Sequence, residues 1–310
     1  MNRIFRSALT VAVLACVAGA ALAETRTTGL YAGVGTMSGH TTYQIGGHIV
    51  TPTETFDVYF PISELEFPMN VLVATVGGNI RLASRLTLGV SGSAGITKNA
   101  GTMKDSDWTT PSRPNQLDVY SESDATLDDL EGDVDIRYTV MQRPNWSLDL
   151  GVGFLYQDQS YECKLIRQWS PSGAVSADVV GDGRVGLTYD TAYTIPYVEI
   201  ALGVRFDARA SAEFRADVSP FVKAWDKDVH LLRDPPITAE GDYDGQAARL
   251  SARGEYLITD HWFVLLDFRF MSITTSGTQK NYIRGEWSHT TDAETSSEQA
   301  VATLSTGVGF

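Results

Sequence analysis

Asp228 and His230 stand two apart in Trp225-Asp226-Lys227-Asp228-Val229-His230. On an extended segment, residues two apart share a face. A carboxylate beside an imidazole fixes its tautomer and raises its basicity, which suits a general base. Asp105 and Asp107 repeat the spacing in Met103-Lys104-Asp105-Ser106-Asp107-Trp108. Two close carboxylates cannot both ionise freely, so one tends to hold a proton. Together the clusters offer a base and a carboxylate pair around a water. Either cluster alone is a common loop pattern, and spacing alone is met more simply by solvated loop residues. Of the remaining histidines, His40 and His48 fall near the top of a first strand, His261 in a short turn and His289 in a long loop.

The elements that must carry these residues are strands. Val134, Ile136, Tyr138 and Val140 alternate with Asp133, Asp135, Arg137 and Thr139. After the turn 141–145, Trp146, Leu148, Leu150, Val152 and Phe154 share one face and Ser147, Asp149, Gly151 and Gly153 the other. Such a pair around a tight turn is a hairpin. The device recurs along the chain. In one segment Phe214, Ala216, Val218 and Val222 are set against Glu213, Arg215, Asp217 and Ser219. The polar faces hold ionised groups, and the apolar faces carry aromatics near strand ends, among them Tyr138, Trp146, Phe206, Tyr256 and Trp262. Apolar outside, polar lumen and aromatic girdles fit a transmembrane barrel better than a soluble sandwich.

The segments predict ten strands, at 28–46, 54–82, 85–98, 126–141, 146–164, 186–206, 212–226, 244–258, 262–278 and 297–310. Short connections at 82–85, 141–145, 207–211 and 259–261 alternate with long ones near 47–53, 99–125, 165–185, 227–243 and 279–296. That asymmetry predicts an all-β, ten-stranded antiparallel barrel with short periplasmic turns and long extracellular loops.

Composition agrees. The 310 residues carry 24 Lys+Arg against 38 Asp+Glu, a net charge of −14, which argues against nucleic acid as a partner. Arg3 and Arg6, the apolar run 8–20 and Ala21-Leu22-Ala23 read as an export signal over residues 1–23, leaving one domain over 24–310. Val13-Leu14-Ala15-Cys16 also fits a lipoprotein box, but the apolar stretch after the cysteine disfavours it. The other cysteine, Cys163, has no partner for an internal disulfide and reads as a buried or lipid-facing small residue. No Cys/His zinc spacing exists, so no metal and no organic cofactor is expected. The acidic stretch from Asp118 through Asp135 lacks an EF-hand pattern and reads as a groove wall attractive to cationic peptides. Gly181-Asp182-Gly183 reads as a turn.

The chain resembles the omptin family of outer-membrane endopeptidases. Gly33-Val34-Gly35-Thr36-Met37-Ser38-Gly39 is similar to their first-strand signature. Ser63-Glu64-Leu65-Glu66-Phe67 is similar to a second-strand one, and residues 103–108 and 225–230 to the segments bearing catalytic aspartates and an Asp–His couple. C-terminal Phe310 on an alternating strand resembles an outer-membrane sorting signal. The resemblance implies an active site in an outward groove. Asp228 would orient His230, His230 would deprotonate a water held against Asp105, and Asp107 would pair with Asp105. No acyl-enzyme would form. It also implies peptide or protein substrates, an outer-membrane location and lipopolysaccharide as a candidate lipid activator.

Departures accompany it. Asp226 matches an acidic residue that binds a basic substrate side chain, but the pocket's second acidic position falls at Tyr43. A usual histidine appears as Ser123, and two lipid-binding arginines fall at Ser160 and Ala192. The alternative is a non-catalytic outer-membrane barrel acting in adhesion or ligand binding.

Overall fold

The computed structural model describes residues 28–110 and 112–310; the leader read over residues 1–23 lies outside them. Every strand pairing is antiparallel. In chain order the strands are β1 (Thr28–Val50), β2 (Thr55–Asp57), β3 (Ser63–Pro68), β4 (Val71–Ala83), β5 (Leu86–Gly95), β6 (Asn99–Asp107) and β7 (Val119–Gln142). They continue as β8 (Trp146–Trp169), β9 (Val179–Val180), β10 (Val185–Arg205), β11 (Ala210–His230), β12 (Ile237–Leu257), β13 (Trp262–Ile283) and β14 (Glu286–Gly309). Pairing runs β7-β5-β4-β1-β14-β13-β12-β11-β10-β8, and β8 pairs back to β7, closing a barrel without a free edge. Higher up, β3 and β6 take the places of β4 and β5 between β1 and β7.

Ten strands were expected, and the described residues form fourteen. The expected segment 54–82 is broken after Pro68, which lacks the N–H a ladder needs, and the Asn70 amide turns to the Ala100 carbonyl at 3.1 Å. The segment 85–98 stops at Gly95; β6 and the short β9 lie inside expected loops, and the short β2 lies within the expected segment 54–82. The loops are also shorter than expected. Residues 279–296 are not a loop: β13 and β14 pair through them around a turn at Arg284-Gly285, where φ is 56° and 80°. Two successive positive φ values mark a two-residue hairpin turn, which glycine takes without strain. Likewise β11 runs on to His230 and β12 resumes at Ile237, replacing most of the loop expected at 227–243.

β8 shows why the strands rise so far. Its even-numbered residues Leu150, Val152 and Phe154 face outward and are exposed. Its odd-numbered residues Leu155, Gln157, Gln159, Tyr161 and Cys163 are buried inside. Below residue 155 the outer face is apolar and the inner face is Gly and polar; above it the outer face becomes Ser160, Glu162 and Lys164. The strand keeps its parity while its surroundings change from lipid to water. The expected polar lumen therefore holds only for the lower half.

In that half, guanidinium–carboxylate pairs fill the lumen. Arg137 reaches Asp135 at 3.1 Å and Glu213 at 2.9 Å, and Arg253 reaches Asp267 at 2.5 Å. Arg249 holds Asp133 and Asp217, and Arg269 holds Glu131. The expected acidic groove wall is corrected here: Glu131, Asp133 and Asp135 are lumen residues paired with arginines. Above them lies a plug of buried apolar and aromatic side chains, including Met37, Phe67, Met69, Met103, Tyr161 and Tyr193. Cys163 is buried in the same plug.

If the apolar outer face meets lipid, Leu150→Arg, at a position 49% exposed, should destabilise the barrel by about 2–4 kcal/mol. Ala208→Arg, in an exposed turn, should stay within about 0.5 kcal/mol. Urea unfolding from lipid vesicles checks both.

Candidate active site

A β-bulge in β11 aims the site. Below it Ser219 pairs with Ala247 of β12; above it Val222 pairs with Gly245, so β11 carries one extra residue. The same offset appears against β10, between Val218↔Val198 and Lys223↔Thr194. A one-residue slip exchanges the two faces of a strand. Phe214 and Val218 point to lipid below the bulge, whereas Val222, Ala224, Asp226 and Asp228 are buried inside above it. Val222, expected on the lipid face with Phe214, is therefore a lumen residue. Pro220 and Phe221, at the bulge, are the residues that face outward between the two registers.

The bulge turns Asp226, Asp228 and His230 inward on one strand, where the sequence ended the strand at Asp226 and suggested a loop for Asp228 and His230. His230 Nε2 lies 3.2 Å from Asp228 Oδ2, with side chains 26% and 5% exposed. Asp228 Oδ1 is buried without a hydrogen-bond partner among the described residues. Asp105 and Asp107 also sit on a strand, β6, inward with Met103, while Lys104 turns outward to Glu66 at 2.7 Å. Their cross-strand neighbours are Leu65 and Ser121 for Asp105, and Ser63 and Val119 for Asp107.

These groups face one another. Burial first, then the charges of Asp107 and Asp228, push the Asp105 carboxyl well above the usual carboxylate range; Arg233 and the Ser121 hydroxyl oppose the rise. Asp107 is raised by burial and drawn back by Ser63, Arg233 and His230. Asp105 therefore holds a proton more readily than a free carboxyl, as a crowded pair should. Arg233, in the turn after β11, was not singled out in the sequence. Its signal there was only a cation three residues beyond His230, and the fold brings it to the carboxylates.

The two remaining candidate residues lie beneath. Asp226 is 0% exposed. It accepts hydrogen bonds from the Tyr189 hydroxyl at 3.1 Å and the Tyr243 hydroxyl at 3.0 Å. Its cross-strand partner is Gly241, where an added Cβ would come within 2.6 Å of Asp226 Oδ1 and onto the Tyr243 hydroxyl. Glycine there is what admits the tyrosine. Tyr43 is buried beside Tyr189, ring centroids 5.6 Å apart, and Tyr189 stacks on Phe67 at 4.4 Å. Burial raises the Asp226 carboxyl to about 7, against the pull of the two phenols. Tyr189, Tyr243 and Gly241 were not legible as site residues, because they reach Asp226 from other strands. His289, expected in a loop, is half-buried on β14; His40 and His48 lie on β1, and His48 meets Asp57 at 2.5 Å. None of the three is placed with the site by any contact described.

A closed antiparallel barrel, apolar outside below and polar above, with carboxylates and an imidazole gathered at one end, defines the class: a transmembrane-type β-barrel with a titratable cluster at one mouth. The Omptin family model matches residues 29–310, and the chain belongs to that family. The fold matches the outer membrane protease OmpT from Escherichia coli at a TM-score of 0.80 and 17% identity, over 94% of this chain and 99% of that one. OprG from Pseudomonas aeruginosa gives a TM-score of 0.39 at 10% identity, covering 92% and 97% of the two chains. The autotransporter NalP translocator domain from Neisseria meningitidis gives 0.34 at 11% identity, covering 99% and 95%. These two values are too low to relate the folds. Comparison with curated proteins gives no significant sequence match.

The raised Asp226 carboxyl has a consequence for stability. Between 3.8 and about 7 the folded barrel keeps a proton that the unfolded chain has released. Stability conferred by that proton is full below this window and is lost as pH rises through it. Asp226→Asn should therefore gain stability relative to the parent as pH rises from acid to 8. Urea unfolding followed by tryptophan fluorescence checks it; a pH-independent difference would contradict it.

Proposed function

We propose that this chain is an endopeptidase that hydrolyses peptides at the outer face of the outer membrane with a water activated by His230. The observation that carries the reading is the meeting of the Asp228–His230 couple with the Asp105–Asp107 pair at one end of the barrel. His230, held through Nε2 by Asp228, keeps Nδ1 for a water. The proton shared by Asp105 and Asp107 makes one carboxyl a donor, able to hold that water or polarise the scissile carbonyl. Water oxygen then bonds to the carbonyl carbon while its proton passes to the imidazole. Collapse breaks the C–N bond, and the imidazolium returns the proton to the leaving amine. Arg233 lies where it can offset developing negative charge.

Substrate binding at Asp226 and Tyr43 takes a different form from a carboxylate-lined pocket. Asp226 is covered, its oxygens are committed to two phenols, and Tyr43 occupies the neighbouring space. A cationic side chain would have to displace those phenols and deprotonate a buried acid. The preferred residue before the cut is accordingly not Arg or Lys. Lipopolysaccharide as an activator belongs to this proposal too, with no phosphate clamp at Ser160, which bonds Asp190 at 2.5 Å, or at Ala192. The covered Asp226 also favours the adhesion or ligand-binding reading, and the first experiment separates the two.

His230→Ala should lower the cleavage rate about 10²–10⁴-fold while the barrel still folds. Asp228→Asn should lose activity as well, because an amide cannot stabilise the imidazolium. Near-normal cleavage by folded His230→Ala protein would remove the mechanism, and no cleavage by the parent, with or without lipopolysaccharide, would favour the binding reading.

A mass-spectrometric digest of a diverse peptide library should show no enrichment of Arg or Lys before the cut. Strong enrichment would mean that Asp226 opens to substrate.

A further inference from the structure

The end opposite the site has an unexpected charge. Successive hairpins around one side of the barrel are β4–β5, β7–β8 and β10–β11; their short turns carry Arg85, Arg143 and Arg209, and the adjoining strand ends carry Arg81 and Arg205. Backbone bonds tie these hairpins side by side: Thr139 N–H to the Arg85 carbonyl and Arg205 N–H to the Asn145 carbonyl, both 2.8 Å. The turn between β12 and β13 carries Asp260 and His261 instead.

The arginines enclose space. A cavity of about 700 Å³ is lined by Arg81, Arg143, Arg205 and Arg209, with Arg253 above them. A second cavity of about 280 Å³ shares Arg81 and Arg205 and adds Arg85. Arg253 is held by Asp267. Arg81, Arg85, Arg143, Arg205 and Arg209 make no ion pair with any described carboxylate.

The carboxylates of the wall are largely committed. Glu213 pairs with Arg137 and Arg215, and Asp207 accepts the amides of Arg209 and Ala210 at 2.7 and 2.8 Å. Glu255 has a partner of its own. Asp149 opposes the arginines, with one buried oxygen that has no hydrogen-bond partner among the described residues. In a chain of net charge −14, this is a local reversal of sign in a concave, low-dielectric wall, which concentrates anions. Guanidinium forks match phosphate oxygens in pairs, and the larger cavity falls within the roughly 300–1,000 Å³ of small-molecule sites.

We propose that this vestibule is a binding site for a polyanion bearing phosphate groups. The turns face the periplasm if the catalytic end faces outward, so the phosphates come either from headgroups of the inner leaflet or from a soluble phosphorylated compound. The site is separate from the peptidase machinery and stands or falls without it.

Pyrophosphate is the probe. Calorimetric titration of the full chain in zwitterionic detergent should show one saturable site that weakens as salt is raised. Arg81→Gln/Arg143→Gln/Arg205→Gln should bind about tenfold or more weakly, since charge-assisted bonds are lost. Lys164→Gln/Arg167→Gln/Arg184→Gln, with the same charge change at the other end, should bind as the parent does. Parent nanodiscs of phosphatidylcholine and of phosphatidylglycerol separate the sources: loss of pyrophosphate binding only in phosphatidylglycerol assigns the site to headgroups, and retention assigns it to a soluble compound. Absent saturable binding, equal weakening in both triple variants, or citrate binding as tightly as pyrophosphate would overturn the proposal. Circular dichroism of each variant confirms folding.

Discussion

The strands of this barrel cross from lipid into water, and that change of medium governs the rest of the structure. Side chains on a strand alternate strictly, so each strand has one outward and one inward set along its whole length. In lipid the outward set must be apolar and every backbone group must be paired, which closure of the sheet provides. Above the lipid the outward set is free to be polar. The inward set can then hold the apolar and aromatic plug that supports a functional surface. β8 makes the exchange within one strand, near Leu155.

The interior solves two different problems in its two halves. In the lower half, small residues and paired charges fill the lumen. Buried ion pairs of this kind repay their desolvation only when nearly every donor and acceptor is engaged; Arg137 donates to Asp135, Glu213 and Asn79, whereas Glu199 beside it accepts no hydrogen bond from the described residues. In the upper half, Phe67, Tyr161 and Tyr189 pack against one another, with centroid separations of 4.4 to 6.4 Å. This packed layer lies beneath the site and excludes water from Asp226. The crowding that raises Asp105 and Asp107 comes from the same source: carboxylates placed on a strand face closed in by its neighbours.

The bulge at Pro220-Phe221 links the two halves to function. Without its extra residue, the parity that sends Phe214 and Val218 to lipid would send Asp226 and Asp228 outward as well. With it, one strand serves lipid with its even-numbered residues below and the site with its even-numbered residues above. Bulges are a recurrent way to re-aim side chains near functional sites.

The sequence by itself determined the alternation of the long strands, the outward apolar faces below the bulge in β11 and the pairs Asp105/Asp107 and Asp228/His230, because period two and two-residue spacing are local properties that any strand inherits. It also determined the family, through short motifs whose residues are contiguous. It did not determine where strands end, since above the membrane both faces tolerate polar residues and the apolar alternation fades, so residues 227–243 and 279–296 read as loops. Nor did it reveal the break at Pro68 or the bulge in β11, whose effects depend on register with neighbouring strands. The meeting of Asp105 with Asp228, the capping of Asp226 by Tyr189 and Tyr243, and the placement of Arg233 were decided by the tertiary structure alone. Each joins residues from different strands, and only closure of the sheet fixes which of them face each other across the lumen.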